Sequence, residues 1–222
     1  MVDSEDEDDS VARACASPPC FMHELTEGYT PDLDRDPVQW RDVIRWRTAE
    51  RARRIGERLA VPLVERRALS ESIAAKLTAA VGDPRKHLIG VYWPIRGEPD
   101  LRQWMVDIVT CGGRIALPVV IRKAWPLEYR VWRPGDPLER GVWNILVPSK
   151  GPAVQPSVVI APVVGFDDGN YRLGYGGGFF DRTLAAMSKK PLVIGVGFAR
   201  SRIASIYPQP HDIPMDMIIT EE

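Results

Sequence analysis

Residues 166–182 carry the densest chemistry in the chain. Phe166-Asp167 is followed, after a short gap, by Arg172-Leu173-Gly174-Tyr175-Gly176-Gly177-Gly178-Phe179-Phe180-Asp181-Arg182. Glycines lack a Cβ, so such a backbone can approach phosphate oxygens closely. Amides opening a following helix would present partial positive charge to the same anion. Arg172 would add a charge-assisted contact. The spacing is not that of a Walker A loop, because no Gly-Lys-Ser/Thr follows, nor that of a Gly-x-Gly-x-x-Gly dinucleotide fingerprint. Read from its residues alone, the stretch is either a phosphate cradle or a structural glycine turn. Asp181 is likewise either a hard oxygen ligand for a cation or a first-turn carboxylate complementing the helix dipole.

Other candidate groups lie upstream. Arg47 and Arg51 are one helical turn apart and can point at one ligand, although Arg45, Arg53 and Arg54 crowd the same helix and a solvated basic face explains the cluster equally well. Trp93 and Glu98 fall at the end of an apolar run and in the loop after it. A carboxylate there would accept from adjacent N–H donors and an indole would cover a flat ring, whereas on its own Trp93 reads as core.

These residues need a scaffold. The stretches 43–59 and 64–81 read as two helices joined near Pro62, with Leu69, Ile73, Leu77 and Val81 at helical spacing. Residues 87–93 form a strand, 99–110 a helix ending at Gly112-Gly113, 114–118 a second strand, and 127–132 a more peripheral one. Residues 134–156 are so densely punctuated by proline and glycine that they read as loop. The continuous apolar run Val158-Val159-Ile160-Ala161 leads into the glycine loop, a helix over 179–187 and a strand over 192–198. Apolar strands alternating with helices predict an α/β fold, a mostly parallel sheet covered on both faces, with the glycine loop at the carboxyl end of a strand where ligands usually bind.

At 222 residues, 45% hydrophobic and 27% charged, the chain can bury one good-sized core. One domain over 41–222 is expected, preceded by an acidic, then Pro/Ser-rich extension over 1–40 that lacks the apolar surface to order itself. A net charge of −1 gives no reason to expect nucleic acid or an anionic membrane as partner. Cys15, Cys20 and Cys111 have no disulfide or zinc spacing, and no apolar run is long enough for a membrane span. The opening Asp3-Ser4-Glu5-Asp6-Glu7-Asp8-Asp9 has the wrong sign for a presequence, so a cytoplasmic protein is expected.

Phe166-Asp167 with Arg172 through Arg182 resembles the signature of the 5-formyltetrahydrofolate cyclo-ligase family. Further pieces stand in that family's order: Tyr92-Trp93-Pro94 with Glu98, Ala116-Leu117-Pro118, Trp143-Asn144, Gly195-Val196-Gly197-Phe198, His211-Asp212 and Ile218-Ile219-Thr220-Glu221. The resemblance spans residue 43 to the C-terminus. It implies a three-layer αβα, Rossmann-like domain that couples ATP cleavage to closure of 5-formyltetrahydrofolate to 5,10-methenyltetrahydrofolate through a phosphorylated formyl group. It further implies that Arg47, Arg51, Arg172, Leu173, Gly174, Tyr175, Gly176, Gly177, Gly178, Phe179 and Phe180 hold ATP. Trp93, Glu98, Trp143 and the stretch from Tyr175 to Phe179 would border the folate, Arg172 and Tyr175 would act in catalysis, and Asp181 and Asp212 would serve Mg2+. The implied partners are ATP and the folate alone, on a monomer.

The chain departs from the family pattern at several positions. Leu146-Val147-Pro148 stand where the family usually has Pro-Glu/Gln-Pro; Ser201, Tyr207 and Gln209 replace a Gln and a Pro-x-Glu near the C-terminus; Ser157 stands in place of Asp. These departures keep two alternatives open: an ATP-binding paralogue acting on another formyl or amide compound, and a non-catalytic folate- or nucleotide-binding regulator.

Overall fold

The computed structural model describes residues 37–222. Helix α1 (Pro37–Ala60) begins on a proline, whose fixed φ and missing N–H suit a first helical turn. Helix α1 thus starts within the stretch assigned above to the extension, whose first 36 residues lie outside the described ones. Helix α2 (Leu63–Val81) buries Ser70, Ile73, Leu77 and Val81 along one stripe and stops at Gly82, whose φ of 70° is left-handed. Strand β1 (Leu88–Gly90) is shorter than expected. Val91 still donates to the Ala116 carbonyl at 2.9 Å, but the chain then turns out, and the Tyr92 hydroxyl donates to the Pro99 carbonyl at 2.8 Å. Helix α3 (Arg102–Thr110) starts after Asp100, whose carboxylate accepts from the Arg102 amide. Strands β2 (Arg114–Val119) and β3 (Glu128–Trp132) follow.

Residues 134–156, expected as loop, contain three short strands. Strands β4 (Leu138–Arg140) and β5 (Leu146–Pro148) form an antiparallel hairpin, and β6 (Ala153–Val154) pairs with β3. Strands of two or three residues are too short to show a period in sequence and exist here because a neighbour completes their hydrogen bonds. Strand β7 (Val158–Pro162) is buried along its whole length. Strands β8 (Gly165–Phe166) and β9 (Arg172–Leu173) form a second hairpin, so Arg172 and Leu173 are strand residues and not part of the loop proper. Helix α4 (Phe179–Ala186), β10 (Leu192–Val196) and β11 (Met217–Ile219) complete the chain.

The main sheet has the order β11-β10-β7-β1-β2-β3-β6, parallel from β11 to β2 and antiparallel beyond. Alternation along the strands sends Ile89, Ile115, Leu117, Val158, Ile160 and Ile194 to one face, against Ile73 and Leu77 of α2 and Trp104, Met105 and Ile108 of α3. Ala116, Val159, Ala161 and Val193 face the other way, against Phe180 and Leu184 of α4. This is the expected three-layer arrangement. From β1 the chain proceeds to β2 and β3 on one side, and from β7 to β10 and β11 on the other, so the winding reverses between β1 and β7. The loops leaving those two strands therefore open a crevice at their carboxyl ends. Among the described residues no helix is long and apolar enough to cross a membrane.

Candidate active site

Helix α1 lies across that crevice, fastened by a ladder of arginines at positions 47, 51, 54 and 58, spacings that keep them on one helical face. Arg47 Nε donates to the Ile206 carbonyl at 2.9 Å and one terminal nitrogen to the Tyr207 carbonyl at 2.8 Å. Arg51 Nε donates to the Gly174 carbonyl at 2.7 Å. Arg54 reaches the carbonyls of Arg200 and Arg202, and Arg58 those of Arg96 and Val163. Each carbonyl belongs to a segment beyond the carboxyl end of a sheet strand or within the glycine loop, so the helix gathers the site's walls. Arg47, Arg51 and Arg58 are buried, which rules out the reading of that face as merely solvated; Arg45 fits that reading, with a side chain 82% exposed.

The glycine loop runs from β9 to α4 beneath α1. Gly176 (φ 95°) and Gly178 (φ 60°) take left-handed conformations, and Gly178 caps α4. The amides of residues 174–178 find no acceptor among the described residues, leaving a run of donors at a helix start. Arg172 pairs with Asp181 at 2.9 Å and lies over the Phe180 ring. Arg182 bonds the Gly177 carbonyl and lies over Phe179; burial draws its pKa down against the opposing pull of Asp181. The Nε atoms of Arg172 and Arg182 are buried with no partner among the described residues. Asp167 of the Phe-Asp pair is structural: its carboxylate accepts from the amides of Gly169, Tyr171 and Ile206, which closes the β8–β9 turn and ties it to the segment carrying Tyr207.

Asp212 enters the site from the segment after β10. Its carboxylate accepts from Arg47 at 2.5 and 3.3 Å and from the Gln209 amide at 2.6 Å, and the neighbouring Ile213 amide donates to Asp181 at 3.3 Å. The two aspartates thus share one rim. Among the described residues no group of three or more His, Cys, Asp or Glu side chains could cage a metal. Two carboxylates beside a run of backbone donors fit Mg2+, which keeps substrate oxygens and water as most of its ligands. Each carboxylate already serves a guanidinium and an amide, Asp181 at 2.9 and 3.3 Å and Asp212 at 2.5 and 2.6 Å, so Asp181, held by the longer bonds, is the freer to turn to a cation.

The opposite wall is aromatic and apolar. Trp143, in a left-handed turn with φ 57°, meets Phe179 edge-on at 5.3 Å, and Trp93 meets Trp132 at 6.1 Å. Glu98 is set into this wall. It is 5% exposed and accepts from the Ile95 amide and the Tyr175 hydroxyl, each at 2.8 Å. The same hydroxyl accepts from Arg58 at 2.6 Å. Burial pushes the Glu98 carboxyl above its ordinary pKa, while Arg58, the Ile95 amide, Tyr175 and Arg96 pull it back. Burial, with Glu98 alongside, pushes the Tyr175 phenol far up, and its proton is committed to Glu98.

Every site residue singled out from the sequence lines one cleft of about 830 Å³. Sequence reasoning missed two contributors. Arg58 was visible as the next rung of the arginine ladder. Arg182 stood inside the quoted motif. Val147, singled out through the family pattern, lines the wall, but the hairpin that carries it lay in a stretch read as loop.

A profile of the 5-formyltetrahydrofolate cyclo-ligase family matches residues 37–221. A 5-formyltetrahydrofolate cyclo-ligase of Mycolicibacterium smegmatis is 30% identical over 138 residues, 58% of this chain and 71% of that protein. The NMR structure of an Aquifex aeolicus 5,10-methenyltetrahydrofolate synthetase superposes with a TM-score of 0.69 at 27% identity, covering 79% of this chain and 90% of that one. A 5,10-methenyltetrahydrofolate synthetase from Mycoplasma pneumoniae shares the fold at 23% identity, with a TM-score of 0.66 and coverage of 79% and 99%. With nearly all of its described residues inside the family profile and the signature stretch Arg172 to Arg182 lining one cleft, the chain belongs to the 5-formyltetrahydrofolate cyclo-ligase family.

Proposed function

We propose that this chain is an ATP- and Mg2+-dependent 5-formyltetrahydrofolate cyclo-ligase. The observation that carries the reading is the two-sided cleft: amides with no acceptor among the described residues beside buried guanidinium groups on one wall, aromatic surface with a buried carboxylate on the other, meeting at the glycine loop. The polar wall suits a triphosphate, with residues 174–178, Arg172 and Arg51 around it and Arg47 held in place by Asp212. Mg2+ would be held by Asp181, with Asp212 on the same rim, and would supply neutralisation of phosphate charge there. The aromatic wall suits a pterin, whose neighbouring ring N–H and amino donors match Glu98.

A formamide oxygen is a poor leaving group. In the proposed reaction it attacks the γ-phosphorus, the bond to ADP breaks, and an iminophosphate forms. The second folate nitrogen then attacks the activated carbon, and phosphate departs with the former formyl oxygen. The chain's own part is to bring the two substrates into line and exclude water. Tyr175, assigned a catalytic role from the sequence, suits positioning better than proton transfer, because its hydroxyl both accepts from Arg58 and donates to Glu98.

One observation favours a second reading. Val147, at the position where the family usually has Glu or Gln, is buried in the cleft wall, which suits a paralogue acting on a less polar formyl or amide compound. Mixing the protein with ATP, Mg2+ and 5-formyltetrahydrofolate separates the two. Methenyl absorbance together with ADP supports the cyclo-ligase. ADP released only with a different formyl or amide compound would transfer support to the paralogue.

A further inference from the structure

We infer that Arg58 is a positioning residue of this site: by donating to the Tyr175 hydroxyl it fixes that hydroxyl's proton on Glu98 and keeps Glu98 an ionised acceptor facing the cleft. The inference deepens the proposed function and rests on its assignment of Glu98 to the folate wall.

The geometry leaves one hydrogen-bond direction. A guanidinium can only donate, so at 2.6 Å from Arg58 the Tyr175 oxygen must accept. Its single proton then goes to the other neighbour, Glu98 Oε1, at 2.8 Å. Glu98 Oε2 is already an acceptor for the Ile95 amide. Both assigned bonds therefore require lone pairs on Glu98. A protonated Glu98 would present a donor where the site is wired for an acceptor, and a ligand bearing adjacent N–H groups would meet the wrong partner.

The charges point the same way. Arg58 is 3% exposed and makes no direct bond to a carboxylate among the described residues. An uncompensated buried charge is strongly unfavourable, and Glu98 supplies an opposite charge one hydroxyl away. The other groups facing Glu98 are Arg96 from its own loop, Tyr92 at the end of β1 and Tyr175 from the glycine loop. The phenols are neutral at physiological pH. Arg58 and Arg96 are the cations opposing the burial that favours the protonated acid, and of the two Arg58 acts more strongly.

The test uses the full chain with Tyr175→Phe, Arg58→Met and Arg58→Lys. Two readings are taken from about pH 5 to pH 9, a window spanning ordinary and raised carboxyl values. The first is the Glu98 carboxyl titration by carbon-13 NMR, assigned by loss of its signal in Glu98→Gln. The second is the equilibrium affinity for 5-formyltetrahydrofolate. Tyr175→Phe and Arg58→Met should raise the Glu98 midpoint by about one unit or more, and Arg58→Lys should move it less because it keeps the charge. Folate affinity should then fall about tenfold per pH unit below each new midpoint. A merely structural Arg58 would lower stability at every pH and leave the midpoint unmoved, which would overturn the inference. If Arg58→Met does not fold, Tyr175→Phe decides alone. A shifted midpoint in a protein that binds no 5-formyltetrahydrofolate upholds the wiring and sinks the functional reading instead.

Discussion

At the scale of single residues, the glycines of the loop are there for different reasons, and substitutions should separate them. A Cβ added at Gly177 would lie 2.7 Å from two ring carbons of Phe179, and φ at this position is not positive. Valine would therefore displace the Phe179 ring from Trp143 and Arg182 without straining the backbone. We expect Gly177→Val to keep its thermal stability within a few degrees while ATP affinity falls at least roughly tenfold, about 1.4 kcal/mol. Gly176→Ala forces an alanine to φ 95° and should cost about 1–2 kcal/mol of stability. Thermal unfolding and ATP titration on the same samples check both. A folded Gly177→Val protein that binds ATP like the parent would leave the loop a simple turn. The glycine run of this loop was legible in the sequence as a place of close backbone approach or of tight turning, and which glycines need a left-handed φ was not. The Arg58–Tyr175–Glu98 chain was not, since its two hydrogen bonds join residues 117 and 77 positions apart and only the fold brings them together.

At the scale of elements, α1 acts as a strap across the carboxyl ends of the strands, and its stability depends on partners far away in sequence. The Arg47–Asp212 pair has side chains only 10% and 11% exposed. Removing one charge strands the other, a loss of about 3 kcal/mol by comparison with other buried pairs. Asp212→Asn should therefore unfold at lower denaturant concentration by that amount in buffer containing a chelator. An aspartate that served only a metal would show no loss under those conditions. The β4–β5 hairpin carries the second element-scale prediction. Val147→Gln restores a polar group to the cleft wall at a stability cost of about 1–3 kcal/mol if its amide finds no partner. If 5-formyltetrahydrofolate is the substrate, its KM should drop several-fold in this variant. An unchanged KM would argue that position 147 does not face the folate. The long helices and the buried strands β2, β7 and β10 were legible from period and apolar runs. The hairpins were not, because strands of two or three residues owe their existence to pairing and carry little local pattern.

At the scale of the whole molecule, the reversal of winding between β1 and β7 opens the cleft, and α1 closes one side of it. The sequence made the α/β class and the position of the glycine loop at a strand's carboxyl end legible. It did not reveal that α1 crosses the end of the sheet and leaves the faces to α2, α3 and α4, because helical period reports that a stripe is buried and not against what. That placement decides where the functional unit begins. The family profile starts at residue 37, where α1 starts, and Trp40, Val43 and Ile44 of its first turns line the cleft beside Arg47. We expect a chain beginning at Pro37 to fold with a similar Tm and to keep turnover within roughly twofold, because the family profile and helix α1 both begin there. A chain beginning at Arg45 should keep the sheet, read by circular dichroism, but lose the cleft's apolar rim and the first turns that orient Arg47, with a rise in the KM for ATP. Steady-state kinetics and thermal melts of the two truncations against the full chain decide the matter. Loss of folding or turnover in the Pro37 truncation would make the acidic segment part of the working domain.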